Sequence, residues 1–86
     1  MIEPTVSIII PTKDGQELLN RSVGSVISQK FSDLIEIIVI DDGSKAPVVL
    51  PRSTERRRCR IIRNDKSVGP AEARNMGAVI ARESRK

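Results

Sequence analysis

A chain of 86 residues holds one domain at most and buries about 60–65% of the surface it exposes when unfolded. Hydrophobic residues make up 38% and charged residues 30%, with the apolar ones gathered in blocks, so an intrinsically disordered chain is excluded. The formal charge of +4 favours anionic partners, yet the single aromatic, Phe31, excludes base stacking on aromatic platforms, and one cysteine with no histidine excludes an internal disulfide and a His/Cys metal set.

Val6-Ser7-Ile8-Ile9-Ile10 is β-branched and apolar but for one serine, and reads as a buried strand stopped by Pro11. Thr12-Lys13-Asp14-Gly15 follows as its loop. Asp14 precedes Glu17 at the capping-box spacing, and Leu19, Val23, Val26 and Ile27 recur at helical intervals, which predicts a helix from about Gly15 to Gln29. Gly24 inside that helix is expected to mark a close approach to the sheet. Phe31, in the connection that follows, is expected to plug the bottom of the core.

Glu36-Ile37-Ile38-Val39-Ile40 runs straight into Asp41-Asp42-Gly43-Ser44: a strand buried on both faces that delivers two carboxylates to a fixed place. In open parallel α/β sheets ligands bind beyond the carboxyl ends of the strands, so a binding role is one reading. Asp41 as a cap and Asp42-Gly43 as a plain turn is the other.

Lys45 to Pro51 admits either a short helix or an irregular crossover. Arg56-Arg57-Arg58-Cys59-Arg60 reads as a solvated surface, with a nucleic-acid patch as the alternative. Arg60-Ile61-Ile62-Arg63 is a short third strand ending at Asn64-Asp65. Gly69-Pro70 opens a second helix, because proline suits the first helical position. Ala73, Met76, Gly77 and Ile80 form its apolar stripe, with small residues that permit tight packing on a sheet.

The element order implies parallel pairing. The predicted fold is α/β, three-layer: a short parallel β-sheet flanked by helices, the Rossmann-like half of a doubly wound sheet. No apolar run approaches the ~20 residues that span a bilayer, and Met1 to Val6 lacks the features of a signal peptide. The expected location is cytoplasmic.

Three segments in register, Val6 to Thr12, Ile37 to Ser44 and Gly69 to Gly77, closely resemble the start of a family 2 glycosyltransferase with the GT-A fold. The resemblance implies that this half binds the nucleotide of a sugar donor, typically a uridine diphosphate sugar. It implies that Pro11, Thr12 and Asp14 line base and ribose, that Asp42 meets the base edge, and that Arg74 reaches the base or the phosphates. An ionised carboxylate accepts only, which suits the uracil N3–H and not the acceptors that cytosine and adenine present there; guanine and thymine remain open. For Arg74 an ion pair with Asp41 or Asp42 is the competing reading. Lys13 departs from the family, which commonly places an aromatic there.

Family members hold a divalent metal through a later Asp-x-Asp motif and use a still later acid to deprotonate the acceptor hydroxyl, giving displacement with inversion. Neither is present here, so residues 1–86 are expected to be the nucleotide-binding half of a longer enzyme, without transfer activity or a catalytic residue of its own. Manganese or magnesium is expected for the full-length enzyme, which the resemblance allows to sit at the inner face of the membrane. The alternative function is a basic interaction module that binds nucleic acid or an acidic partner through Arg56, Arg57, Arg58 and Arg60. Self-association through an exposed sheet edge is expected as well.

Overall fold

The computed structural model describes residues 6–51, 54 and 58–83. In chain order they form β1 (Val6–Thr12), α1 (Gln16–Ile27), a 3₁₀ turn (Ser32–Leu34), β2 (Ile35–Asp42), β3 (Cys59–Asn64) and α2 (Pro70–Glu83). The strands are parallel in the order β1-β2-β3, with Val6 opposite Ile35, Thr12 opposite Asp41, Ile37 opposite Cys59 and Asp42 opposite Asn64. The predicted α/β sheet is present.

The unbroken apolar run of β2 follows from its central position, because a strand covered on both faces has no solvent side to be polar. Alternate residues point to opposite faces. Ile37 and Val39 pack with Leu19 and Val23 of α1, while Ile38 and Ile40 pack with Ala73 and Ala81 of α2. One helix lies on each side of the sheet.

Several elements differ from expectation, each for a physical reason. Pro11 does not end β1; it lies within the strand, opposite Ile40. An edge strand tolerates proline because part of its N–H row faces no neighbour. Asp14 does not cap α1, whose N-cap is Gly15 with no side-chain bond. Asp14 instead takes a left-handed conformation, φ 53°, and its carboxylate accepts the Lys45 N–H at 2.7 Å. Phe31 is 63% exposed, with the Lys30 ammonium 5.7 Å from its ring centre, so it does not plug the core, whereas Val48 from the β2–β3 connection is buried in the α1-side cluster.

The two helical glycines also exchange roles. A Cβ on Gly24 would meet nothing within 4 Å, whereas one on Gly77 would overlap the Ile9 side chain. Gly77 is where α2 comes down on β1, as its place in the apolar stripe predicted. Residues 43–51 contain no helix, which settles the crossover as irregular over that stretch. Arg52, Arg56 and Arg57 lie outside the described residues, as do Ser84 to Lys86.

Candidate functional site

The register brings polar side chains together at the carboxyl ends of all three strands: Thr12 beside Asp41 beside Arg63, and Asp42 beside Asn64. Because neighbouring residues of a strand face opposite ways, the two acids do different work.

Asp41 continues the Ile37, Val39 face toward α1 and is fully buried. Its carboxylate accepts the Ser44 N–H at 3.1 Å, the Val48 N–H at 3.0 Å and an Arg63 N–H at 2.8 Å. Arg63 also donates to the Ser44 carbonyl at 2.8 Å. Burial by itself pushes the Asp41 carboxyl up, but the Ser44 hydroxyl, the Val48 and Ser44 amides and the Arg63 guanidinium together hold it below the ordinary 3.8. The acid therefore folds the β2–β3 connection back onto the α1 side, where Val48 enters the core.

Asp42 continues the Ile38, Ile40 face toward α2 and is 4% exposed. Its Oδ1 accepts from Asn64 Nδ2 at 3.0 Å and from the Val68 N–H at 2.9 Å; its Oδ2 accepts from Ser67 Oγ at 2.7 Å and from the Gly69 N–H at 2.9 Å. The Asn64 amide, the Val68 N–H, the Ser67 hydroxyl and the Gly69 N–H outweigh burial and hold the carboxyl far below its ordinary value. Gly43, with φ +78°, lets the Asn64 to Gly69 segment come this close: a Cβ there would stand 2.9 Å from the Ser67 nitrogen.

Ser44 and Asp14 join the two strand-end loops. The Asp14 N–H donates to Ser44 Oγ at 2.8 Å, in addition to the Lys45 bond. One turn on, Gln16 clasps the main chain of Val49 twice, donating to its carbonyl at 2.8 Å and accepting its N–H at 2.9 Å. The connection after β2 is thus fastened to the β1–α1 corner at Ser44, Lys45 and Val49.

Between the end of β1 and the start of α2 lies a cleft of about 250 Å³ lined by Pro11, Thr12, Lys13, Asp42, Ser67 and Pro70. Of the residues expected at a site, Pro11, Thr12 and Asp42 meet here. Asp14 borders an adjoining depression with Gly15, Gln16, Ala46 and Val48. Arg74 is exposed on α2 and lines neither, and Asp41 and Asp42 take other partners, so the ion pair considered for it does not form. Arg58 and Arg60, at the start of β3, stand at the opposite end of the sheet from the cleft.

Sequence reasoning missed Arg63, Asn64 and Ser67. The first two were findable, since they end a third parallel strand and the strand-end rule applies to them as to Asp41-Asp42. Ser67 and the Val68 and Gly69 amides carry no comparable signal, because a main-chain donor is present at every residue but proline.

The sequence pattern described as Glycosyl transferase family 2 matches residues 7–84. The chain belongs to this family. Similar proteins include an uncharacterized glycosyltransferase of Haemophilus influenzae, 34% identical over 86% of this chain and 30% of that protein. The succinoglycan biosynthesis protein ExoU of Rhizobium meliloti is 33% identical over 88% of the chain and 22% of its own length. Polypeptide N-acetylgalactosaminyltransferase 4 of Caenorhabditis elegans is 30% identical over 94% and 14%. This family 2 chain therefore spans less than a third of the length of the curated relatives it matches.

The residues present do not fit the divalent metal that the resemblance implies. Among the described residues no three of Asp, Glu and Cys converge as ligands. At the strand ends Asp41 and Asp42 already accept from N–H and O–H donors. No helix among the described residues is long and apolar enough to cross a membrane.

Proposed function

We propose that this chain is the donor-binding part of an inverting glycosyltransferase, and that the cleft between β1 and α2 receives the nucleoside diphosphate of the sugar donor, with uridine as the base. The observation that carries the reading is the cleft's place in a family 2 chain. It opens beyond the carboxyl ends of parallel strands, where the fold passes from the face covered by α1 to the face covered by α2, and such crevices are where open α/β sheets bind nucleotides.

The chemistry of the lining supports the assignment. Lys13 supplies a positive charge for a diphosphate, and the Ser67 hydroxyl and Gly69 N–H that donate to Asp42 offset part of its negative charge. Pro11 and Thr12 give a firm edge against which base and ribose rest, with Asp14 and Arg74 at the margins. Transfer to an acceptor hydroxyl, and the metal that assists it, belong to residues of a full-length enzyme outside this chain; these 86 residues transfer no sugar. A single cysteine fits a reducing compartment, and the cytoplasm is the proposed location.

Titration of the chain with uridine, cytidine, adenosine and guanosine diphosphates, followed by calorimetry and by amide NMR with and without manganese, tests the reading. Metal-independent binding of uridine diphosphate that shifts the amide signals of Thr12, Lys13 and Ser67 is the expected outcome. Absence of binding by every nucleotide overturns it.

A further inference from the structure

Lys13 and Asp14 are neighbours of opposite charge, and the turn after β1 sends them to different places. Lys13 lines the cleft, whereas Asp14 borders the adjoining depression with Gly15, Gln16, Ala46 and Val48. The separation lies in the backbone: Asp14 is left-handed at φ 53°, a conformation that aspartate tolerates better than most side chains. Two bonds hold it there. Its N–H donates to Ser44 Oγ at 2.8 Å, and its carboxylate accepts the Lys45 N–H at 2.7 Å. Ser44 is 1% exposed and its own N–H donates to Asp41 at 3.1 Å, so the turn is anchored to the end of the central strand.

This sorting gives the cleft a polarity. Among the described residues that line it, Lys13 is the one cation and Asp42 the one acid. Lys13 forms no ion pair with a described carboxylate, while Arg63 near the end of β3 is engaged by Asp41 and by the Ser44 carbonyl. An anionic group beside Asp42 meets a like charge, and beside Lys13 an opposite one. A ligand with a neutral hydrogen-bonding ring at one end and phosphates at the other fits that polarity, ring toward Asp42 and phosphates toward Lys13.

We propose that Lys13 selects the ligand by its phosphate charge, and that Ser44 is the positioning residue that keeps Lys13, and not Asp14, in the cleft. The identity of the ligand rests on the donor-binding reading; the sorting of the two charges stands on the hydrogen bonds. Uridine diphosphate then binds more tightly than uridine monophosphate, and the monophosphate more tightly than uridine, with Lys13 the source of both steps.

The test is a metal-free titration of the 86-residue chain with uridine, its monophosphate, its diphosphate and inorganic pyrophosphate. Dissociation constants and the amide shifts of Thr12 to Asp14 are read in the wild type, Lys13→Met, Lys13→Arg, Ser44→Ala and Lys66→Met. A charge-assisted hydrogen bond to phosphate is worth about tenfold in affinity, so Lys13→Met should lower the preference for the diphosphate over uridine about tenfold. Lys13→Arg should keep most of that preference. Ser44→Ala should lower it part of the way, whereas a merely structural loss weakens both ligands by the same factor and overturns the role of Ser44. Lys66 is exposed on the β3–α2 loop and is not among the lining residues, so Lys66→Met should leave the preference in place.

A Lys13→Met chain with the wild-type preference overturns the proposal, as does a Lys66→Met chain that loses as much; in both cases the diphosphate still binds and the donor reading stands. If no nucleotide binds, pyrophosphate decides. Amide shifts at Lys13 that vanish in Lys13→Met remove the donor reading and keep the selection of phosphate by Lys13, and their absence overturns both.

Discussion

Two glycines in two helices, Gly24 in α1 and Gly77 in α2, should respond to the same substitution with opposite signs. Alanine in place of a glycine in a helix interior gains about 0.8–1 kcal/mol from backbone entropy and propensity when nothing obstructs the methyl. At Gly24 nothing lies within 4 Å of the new Cβ, so the full gain applies. At Gly77 the methyl would overlap Ile9, with Cγ1 at 3.0 Å and Cβ at 3.3 Å besides Cγ2. Isoleucine is stiff at χ1, so no rotamer change clears three of its carbons at once, and α2 must lift from β1. Overpacking of this kind costs about 1–3 kcal/mol, which leaves a net loss of up to about 2 kcal/mol after the propensity gain. For a domain of this size about 1 kcal/mol corresponds to a Tm shift of about 4–8 °C. Urea and thermal unfolding of the two variants should bracket the wild type, Gly24→Ala above and Gly77→Ala below. A Gly77→Ala protein at least as stable as the wild type would refute the reading that α2 is seated on Ile9.

Acid should unfold the protein through the two strand-end carboxylates. Asp41 and Asp42 both titrate below the ordinary 3.8 when folded, so their contribution is complete above that pH and is lost as pH falls through their folded values. Urea midpoints between pH 2 and 6 should drop on the acid side, and the drop should shrink in Asp42→Asn; an unchanged acid slope in that variant speaks against the depressed carboxyl. Among the described residues no strand pairs with the outer edge of β1, and Val6 on that strand is 49% exposed. Such edges recruit other chains, so light scattering should show a concentration-dependent dimer, and a monomer at millimolar concentration contradicts it.

Much of this fold is legible in the residues. The runs of branched apolar side chains mark three strands, the helical stripe through Ala73, Gly77 and Ile80 marks α2, and Pro70 marks its start. The continuous apolar run of β2 shows that this strand is covered on both faces, because only such a strand is apolar at every position. The strand-end acids mark the candidate site, because open parallel sheets bind ligands beyond the carboxyl ends of their strands.

What the sequence leaves undetermined are the contacts between segments far apart in the chain. Phe31 is larger and more apolar than Val48, and yet Val48 is the one buried, because the bonds of Asp41 fold its loop onto the α1 face. Gly24 and Gly77 look alike within their helices, and only the position of Ile9 on another element separates them. The adjacent acids are identical as letters and opposite in use. The two-residue period of a strand sends Asp41 to one layer and Asp42 to the other, and the donors that meet Asp42 arrive 22 to 27 residues later in the chain. Half of those donors are main-chain N–H groups, which every residue but proline carries, so no choice of side chain announces them and only the tertiary fold brings them to the carboxylate.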